Sequence, residues 1–399
     1  MLAVKASQKR TVLTPEASER LVWKEAVTAL TDVANVTIRP QETFRAPNLA
    51  RLFALPPERS GLTAHPDLIF SINFHGLDKH GEAAAILRQK GVPVAVWCVD
   101  NPWNLLSGLR DDFWKEFHLF VTDPSFIKGL LEHGAKHVSH LPLATDPSMF
   151  HQNGPLCVPP ALQPVVFVGR SSFPGKERFF VGQNIPAQLL GEACLEAETG
   201  NRPDFFWWLD KLAAPKQPPI LWPGNAARKA TQGAEETSLR WRSACLQAIL
   251  PYGLTIYGDS GWKTHICAAT GDAQSNLPKP DLRAMVDYYT HLPAIYATAN
   301  FSLVTTSFLL PHGLNQRHFD VWCSNGFALL DATPGLALFP SELTRPVTFA
   351  TPSDIPILVK YFAANQKEKN LLTNAWHQHI LAEHTYEKRI QVLLHNIFT

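Results

Sequence analysis

The sequence has no paired cysteines: its six, at positions 98, 157, 194, 245, 267 and 323, lie far apart and form no CxxC. That spacing argues against a zinc site or a disulfide scaffold and fits reduced thiols of a cytosolic chain. Neither charge is in excess, with 36 Lys+Arg against 35 Asp+Glu, so no nucleic-acid-binding face and no acidic tail are expected. Long hydrophobic runs are missing too. No stretch approaches the ~18 apolar residues of a membrane span, and "MLAVKASQKR" puts charge where a signal peptide needs an apolar core. No internal repeat is evident. A cytoplasmic chain without a transmembrane segment is the expectation.

What is present is a long chain rich in turns and aromatics, with 399 residues, 32 prolines and 10% Phe, Trp and Tyr. It is too long for one ordinary core, which suggests two domains. Short apolar runs alternate with helical patterns. "PDLIFSINFHG", "VPVAVWCVDNPW" and "HLFVTDP" read as buried strands, with helices such as "KHGEAAAILRQKG" and "SFIKGLLEHG" between them. The pattern restarts at "PVVFVGRSSFPGKERFF" and continues through "LTIYGDSGW" and "LPAIYATANFSLVTT". Buried strands separated by helices imply parallel βαβ units, so the fold class is α/β. Residues 181–250 mix helical and turn signals. The polar residues Asn73, His75, Asp100, Asn101 and Asp123 all fall at strand C-termini, the edge where such sheets hold ligands.

The stretch "LPHGLNQRHFDVWCSNGFALLDATPG", residues 310–335, places donors in the first turn of an expected helix and an acid one turn later. A helix N-terminus offers unpaired N–H groups and a positive dipole end, suited to an anion. Gly313 lets backbone approach closely, and Asn315, Gln316 and Arg317 add side-chain donors. The bland alternative is a surface pair between Arg317 and Asp320 at i, i+3.

Together with "VWCVDNPW", "LPLATDP", "FVGRSSFPGKE", "YGDSGW" and "EHTYEKR", this stretch resembles the GT-B glycosyltransferases and, more narrowly, the spore maturation protein CgeB-like family. The resemblance runs from about residue 65 to the C-terminus and is poor over 181–250. It implies two Rossmann-like domains facing a central cleft. Residues 1–155 would hold the acceptor and 156–385 the nucleotide-sugar. The last helix, 386–399, would pack back toward the first domain, with a hinge near residues 150–160. It implies transfer of a sugar from a nucleotide diphosphate donor to an unidentified acceptor hydroxyl, with no cofactor and no bound metal. Donor contacts are then expected at His312, Gly313, Leu314, Asn315, Gln316 and Arg317, with Asp320 accepting ribose hydroxyls. Arg170 and Lys176 correspond to a basic pair on the pyrophosphate, the alternative being a solvated loop. Tyr257, Gly258 and Asp259 border the base, or else form a plain turn above a buried Trp262.

In the first half, Asp100 beside Trp97 and Trp103 is a candidate general base with a raised pKa. His75 and Asp78 compete for that role, and an Asx cap of the "DNPW" turn is the alternative for Asp100. His133, His137 and His140 share no face and are not expected to bind metal. The rival functions are a nucleotide-sugar epimerase and a non-catalytic binding or scaffold protein that keeps the fold.

Overall fold

The computed structural model describes residues 9–62, 64–150, 163–213, 219–267 and 278–399. The chain separates into two units, Met1–Pro142 with Tyr386–Thr399, and Leu143–Thr385. The sequence places the boundary and a hinge near residue 155; the linker residues 151–162 lie outside the described residues. The chain passes from the first unit to the second after Pro142 and returns after Thr385.

The first unit is a six-stranded sheet of order β2-β1-β3-β4-β5-β6, parallel throughout. Its strands are β1 Thr11–Pro15, β2 Asn35–Arg39, β3 Leu68–Ile72, β4 Val94–Cys98, β5 His118–Val121 and β6 His137–His140. β1, β3 and β4 are buried at every position, as expected of strands covered on both faces. The sequence shows β3 to β5 as apolar runs but gives little sign of β1, whose "TVLTP" carries only two aliphatic residues. The terminal helix Tyr386–Phe398 belongs to this unit. Its Arg389 Nε donates to the Pro142 carbonyl at 2.9 Å, and Tyr386 meets the Trp97 ring edge-on at 5.9 Å.

The second unit repeats the plan with order β12-β11-β10-β7-β8-β9, again parallel. Its strands are β7 Gln163–Val168, β8 Leu254–Tyr257, β9 Asp281–Arg283, β10 Ala299–Val304, β11 Ala328–Asp331 and β12 Thr348–Phe349. The ambiguous region between β7 and β8 forms the helices Ala187–Glu198, Phe205–Leu212 and Ala226–Ile249. The last two pack tightly because Gly233 has no side chain: a Cβ there would sit 2.1 Å from the Trp208 indole. The insert is bolted to the sheet by Arg202. Its Nη1 donates to Asp331 Oδ2 at 3.2 Å and to the Ala332 carbonyl at 3.0 Å, and its Nη2 to Thr306 Oγ1 at 2.7 Å. Asp331 ends β11 and is 0% exposed.

In the first unit the strand order reverses between β1 and β3, and in the second between β7 and β10. The crevice beyond the carboxyl ends of the strands at such a reversal is where doubly wound sheets bind ligands.

Candidate functional site

At the reversal point of the second unit, β7 ends in Gly169, Arg170 and Ser171, and this short loop is pinned from several directions. Gly169 N–H donates to the Tyr257 carbonyl at 3.0 Å, and Gly169 O accepts from Trp262 Nε1 at 2.8 Å. Ser171 donates through N–H and Oγ to Asp259 at 2.9 and 2.6 Å. Arg242, on the long insert helix, donates to the carbonyls of Arg170 and Ser171 at 2.7 and 3.0 Å. A loop fixed on this scale needs no rearrangement to receive a ligand. The Arg170 side chain itself is exposed.

Arg317 faces this loop. It is half-buried, and a Cβ at Gly169 would lie 3.3 Å from its Nη2. Among the described residues Arg317 forms no ion pair. Arg242 carries a second positive charge nearby. Burial lowers its pKa, Glu235 opposes that, and Arg317 lowers it further. Glu235 stands 3.8 Å from Arg242, and burial raises its own carboxyl pKa. Two neighbouring guanidinium groups beside a rigid glycine loop suit a doubly charged oxyanion.

Several expected contacts are otherwise engaged. The helix is Arg317–Cys323, and its first-turn N–H groups are satisfied internally: Arg317 N–H by Asn315 Oδ1, His318 by the Asn315 carbonyl, and Phe319 and Asp320 by the Gln316 carbonyl. Asn315 Nδ2 donates to the Thr305 carbonyl at 2.9 Å, so this side chain caps its own helix instead of offering a donor to a phosphate. Gln316 is half-buried at the N-cap. The space beside Gly313 is filled by Leu310, whose Cβ lies 2.7 Å from where a Gly313 Cβ would be. Leu314 is core, at 4% exposed, and His312 is exposed. His318 is fully buried, and burial pushes its pKa down to about 4.

Lys176 is ion-paired with Glu236 at 2.6 Å. Its charge is met here by the insert helix. Asp320 is 2% exposed. Its Oδ1 accepts from Thr145 Oγ1 at 2.7 Å, and its Oδ2 accepts from the Tyr288 hydroxyl. These buried partners occupy it here, and the surface pair with Arg317 does not form among the described residues. Tyr257 is buried, and its hydroxyl receives Arg283 Nη1 at 3.0 Å. Gly258 packs against backbone, since a Cβ there would lie 2.4 Å from Gly169 O. Trp262 is buried at 1% exposed. The "YGDSGW" segment therefore builds the wall behind the loop.

In the first unit, β3 ends in two left-handed non-glycine residues, Asn73 at φ 53° and Phe74 at φ 60°. Backbone of this kind is costly, and it persists only where surroundings hold it. Asn73 Oδ1 accepts from Val99 N–H at 2.9 Å, and its Nδ2 donates to Asp100 Oδ2 at 2.7 Å. Asp100 keeps solvent-exposed surface while lying deep among protein atoms. That depth raises its pKa, with the Asn73 hydrogen bond and the Arg20 charge opposing. His75 Nε2 lies 3.1 Å from the Glu16 carbonyl, and burial and then Arg20 lower its pKa. The "DNPW" turn is capped by Asn101, which accepts from Trp103 N–H at 3.0 Å, and not by Asp100. Asp78 caps the helix Glu82–Gln89 by accepting from His80, Glu82 and Ala83 N–H groups. Asp100 after β4 and His75 after β3 are both at this strand edge, and the Arg20 charge acts on each.

Sequence reasoning missed Arg242, Arg202 and Arg20. Arg242 had a signal: Glu235, Ser238 and Arg242 recur at helical spacing as a polar stripe on an otherwise packed helix. Among the described residues no group of three or more His, Cys, Asp or Glu is placed to hold a metal ion, and no helix is long and apolar enough to cross a membrane.

Residues 240–395 match a family model described as glycosyl transferase-like. Among curated proteins none matches the chain. Similar solved structures include Anabaena HepE in complex with UDP and glucose, 9% identical, covering 97% of this chain and 99% of that one, TM-score 0.53. A trehalose-6-phosphate structure from E. coli bound with UDP-2-fluoro glucose is 12% identical, covers 98% and 99%, and has TM-score 0.51. An α,α-trehalose 6-phosphate synthase from Burkholderia multivorans is 12% identical, covers 98% and 96%, and has TM-score 0.50. At these identities the likeness is one of fold, and the fold is GT-B.

Proposed function

We propose that this chain is a glycosyltransferase that moves a sugar from a nucleoside diphosphate donor to an acceptor hydroxyl, with UDP as the nucleotide, and that it belongs to the CgeB-like branch. The observation that carries the reading is Arg317: a half-buried guanidinium without an ion pair among the described residues, set against Gly169 at the β7–β10 reversal. As the glycosidic bond breaks, charge grows on the departing diphosphate, and preorganised donors aimed at that charge supply the main catalytic effect. Arg317 and the exposed Arg170 take this role, and the nearby Arg242 charge adds to the field. These cations replace a divalent metal. In the first unit Asp100 takes the acceptor's proton as general base, helped by the upward shift that burial gives its pKa, and His75 hydrogen-bonds the acceptor.

The match of residues 240–395 to a glycosyl transferase-like model spans Arg242 and Arg317, and UDP or UDP-2-fluoro glucose is bound in structures of the same fold. Titration calorimetry with UDP, with and without EDTA, is the direct test. Equal binding in both buffers, and slow release of sugar from a UDP-sugar, are expected. A loss of affinity that only magnesium or manganese restores would remove the metal-free part; no affinity for any nucleoside diphosphate would remove the whole.

A second reading, a non-catalytic nucleotide-sugar-binding protein, is favoured by the engagement of Lys176 with Glu236 and of Asn315 with Thr305. It predicts UDP-sugar binding with no sugar released.

A further inference from the structure

Asp320 sits in unusually specific surroundings one turn along from Arg317. Its carboxylate is buried and faces two hydroxyls, Thr145 Oγ1 at 2.7 Å on one oxygen and the Tyr288 hydroxyl on the other. An O–H donor on each of its two oxygens suits a carboxylate. An asparagine there would turn an NH2 group toward one of the hydroxyls. Hydrogen bonds to an ionised acceptor are roughly twice as strong as neutral ones, which offsets the cost of burying the charge.

Thr145 is itself 0% exposed. Its N–H donates to the His384 carbonyl at 3.0 Å, and Thr145 and Thr385 form an isolated parallel bridge. The chain enters this unit at Leu143 and leaves it at Thr385. Through Thr145, one carboxylate therefore grips both ends of the unit's chain. Asp320 also stands one turn along the helix from Arg317, on the element that presents the guanidinium to the Gly169 loop.

We propose that Asp320 is a positioning residue: a latch that fixes the Arg317–Cys323 helix to the entering and leaving segments of the second unit, and thereby sets Arg317 for the diphosphate. This rests on the donor reading above, and it assigns Asp320 no contact with ribose. Tyr288, whose ring also meets Phe150 edge-on at 5.2 Å, closes the latch from a third segment.

The test compares UDP with inorganic pyrophosphate, two probes that share the phosphates and differ in the nucleoside. Calorimetry is run on the full chain and on Asp320→Asn, Thr145→Val and the double variant, with thermal melts to confirm folding. A latch predicts that each single variant loses affinity for both probes by the same factor, roughly tenfold or more, and that the double variant is no worse than Asp320→Asn. Thr145→Val keeps the extended backbone and deletes one hydroxyl, so it carries the test if Asp320→Asn does not fold. Selective loss of UDP with pyrophosphate binding intact would make Asp320 a ribose contact and overturn the proposal. Folded variants with wild-type affinity for both probes would reduce the network to packing and overturn it as well. If the wild-type chain binds neither probe, the donor reading falls and takes the latch with it.

Discussion

The two strand edges share one topology and carry opposite chemistry. The β7–β10 edge brings the guanidiniums of Arg317 and Arg242 to a loop pinned by Asp259, Trp262 and Arg242. At the β1–β3 edge the polar groups are Asp100 and His75, with both pKa values moved from their usual ranges, beside the left-handed residues Asn73 and Phe74. A guanidinium keeps its charge at any physiological pH, whereas a carboxyl and an imidazole exchange protons. One edge carries fixed charge and the other carries groups that can exchange a proton. The transferase proposed above would use the first for the leaving diphosphate and the second for the attacking hydroxyl.

The largest effect should come from breaking the bolt beneath the cationic edge. Asp331→Asn leaves Arg202 buried without its counter-charge, and removing one partner of a buried pair typically costs about 3–5 kcal/mol. Urea denaturation should show this as a fall in midpoint. A change below about 1 kcal/mol would mean that the insert is not held to the sheet through this pair.

Next in size is Arg317→Ala. Donor hydrolysis should slow by about 100 to 1,000-fold, with a smaller loss in UDP affinity, because the contact strengthens as charge builds on the leaving group. Equal losses in turnover and in binding would make Arg317 a ground-state anchor and blur the contrast between the edges.

The proton-moving edge is probed by Asn73→Gly. Glycine tolerates the positive φ of this position, so the backbone survives while the hydrogen bond to Asp100 is lost. That bond opposes the rise in the Asp100 pKa, so its removal should raise the pKa further. The base must be ionised to act, so the acid limb of the pH–rate profile should move to higher pH. The stability sign agrees. A carboxyl raised in the folded state favours folding below its ordinary pKa, and that contribution is lost as pH rises through the folded value. An acid limb that stays in place would disconnect Asp100 from the chemistry.

The two edges also differ in how well the sequence shows them. Strands β3 to β5, β7, β8, β10 and β11 are legible because each is mostly apolar and polar residues follow or end it. The insert helix Ala226–Ile249 is not, because much of the face it buries is Ala, Gly, Thr and Ser, which gives little hydrophobic period. The residues of the 310–335 stretch are visible as polar groups near a helix start, yet sequence does not say who occupies them. Asn315 is taken by Thr305, and Asp320 by Thr145, 175 positions away. Arg242 is hidden for the same reason, since its partner carbonyl on Arg170 lies 72 positions back along the chain.

The smallest expected effect is the most direct check on that last point. In the sequence, Lys176 follows Arg170 as the second half of a basic pair. In the structure, its ammonium lies 2.6 Å from Glu236, which also takes Arg240 Nη1 at 3.2 Å. An ammonium already matched by a carboxylate adds little to the field at the Gly169 loop, and pulling it away would leave Glu236 less compensated. Lys176→Met should therefore change UDP affinity by less than about threefold and cost at most about 1 kcal/mol of stability, the range of a partly exposed pair. Arg170→Met, which removes the exposed cation of the same loop, is the internal control and should weaken UDP more. If calorimetry instead gives Lys176→Met a tenfold loss with Arg170→Met near wild type, the lysine leaves Glu236 when ligand arrives. The cationic edge would then be assembled on binding instead of being held ready, and its difference from the strained, proton-moving edge would lie in mobility as much as in charge.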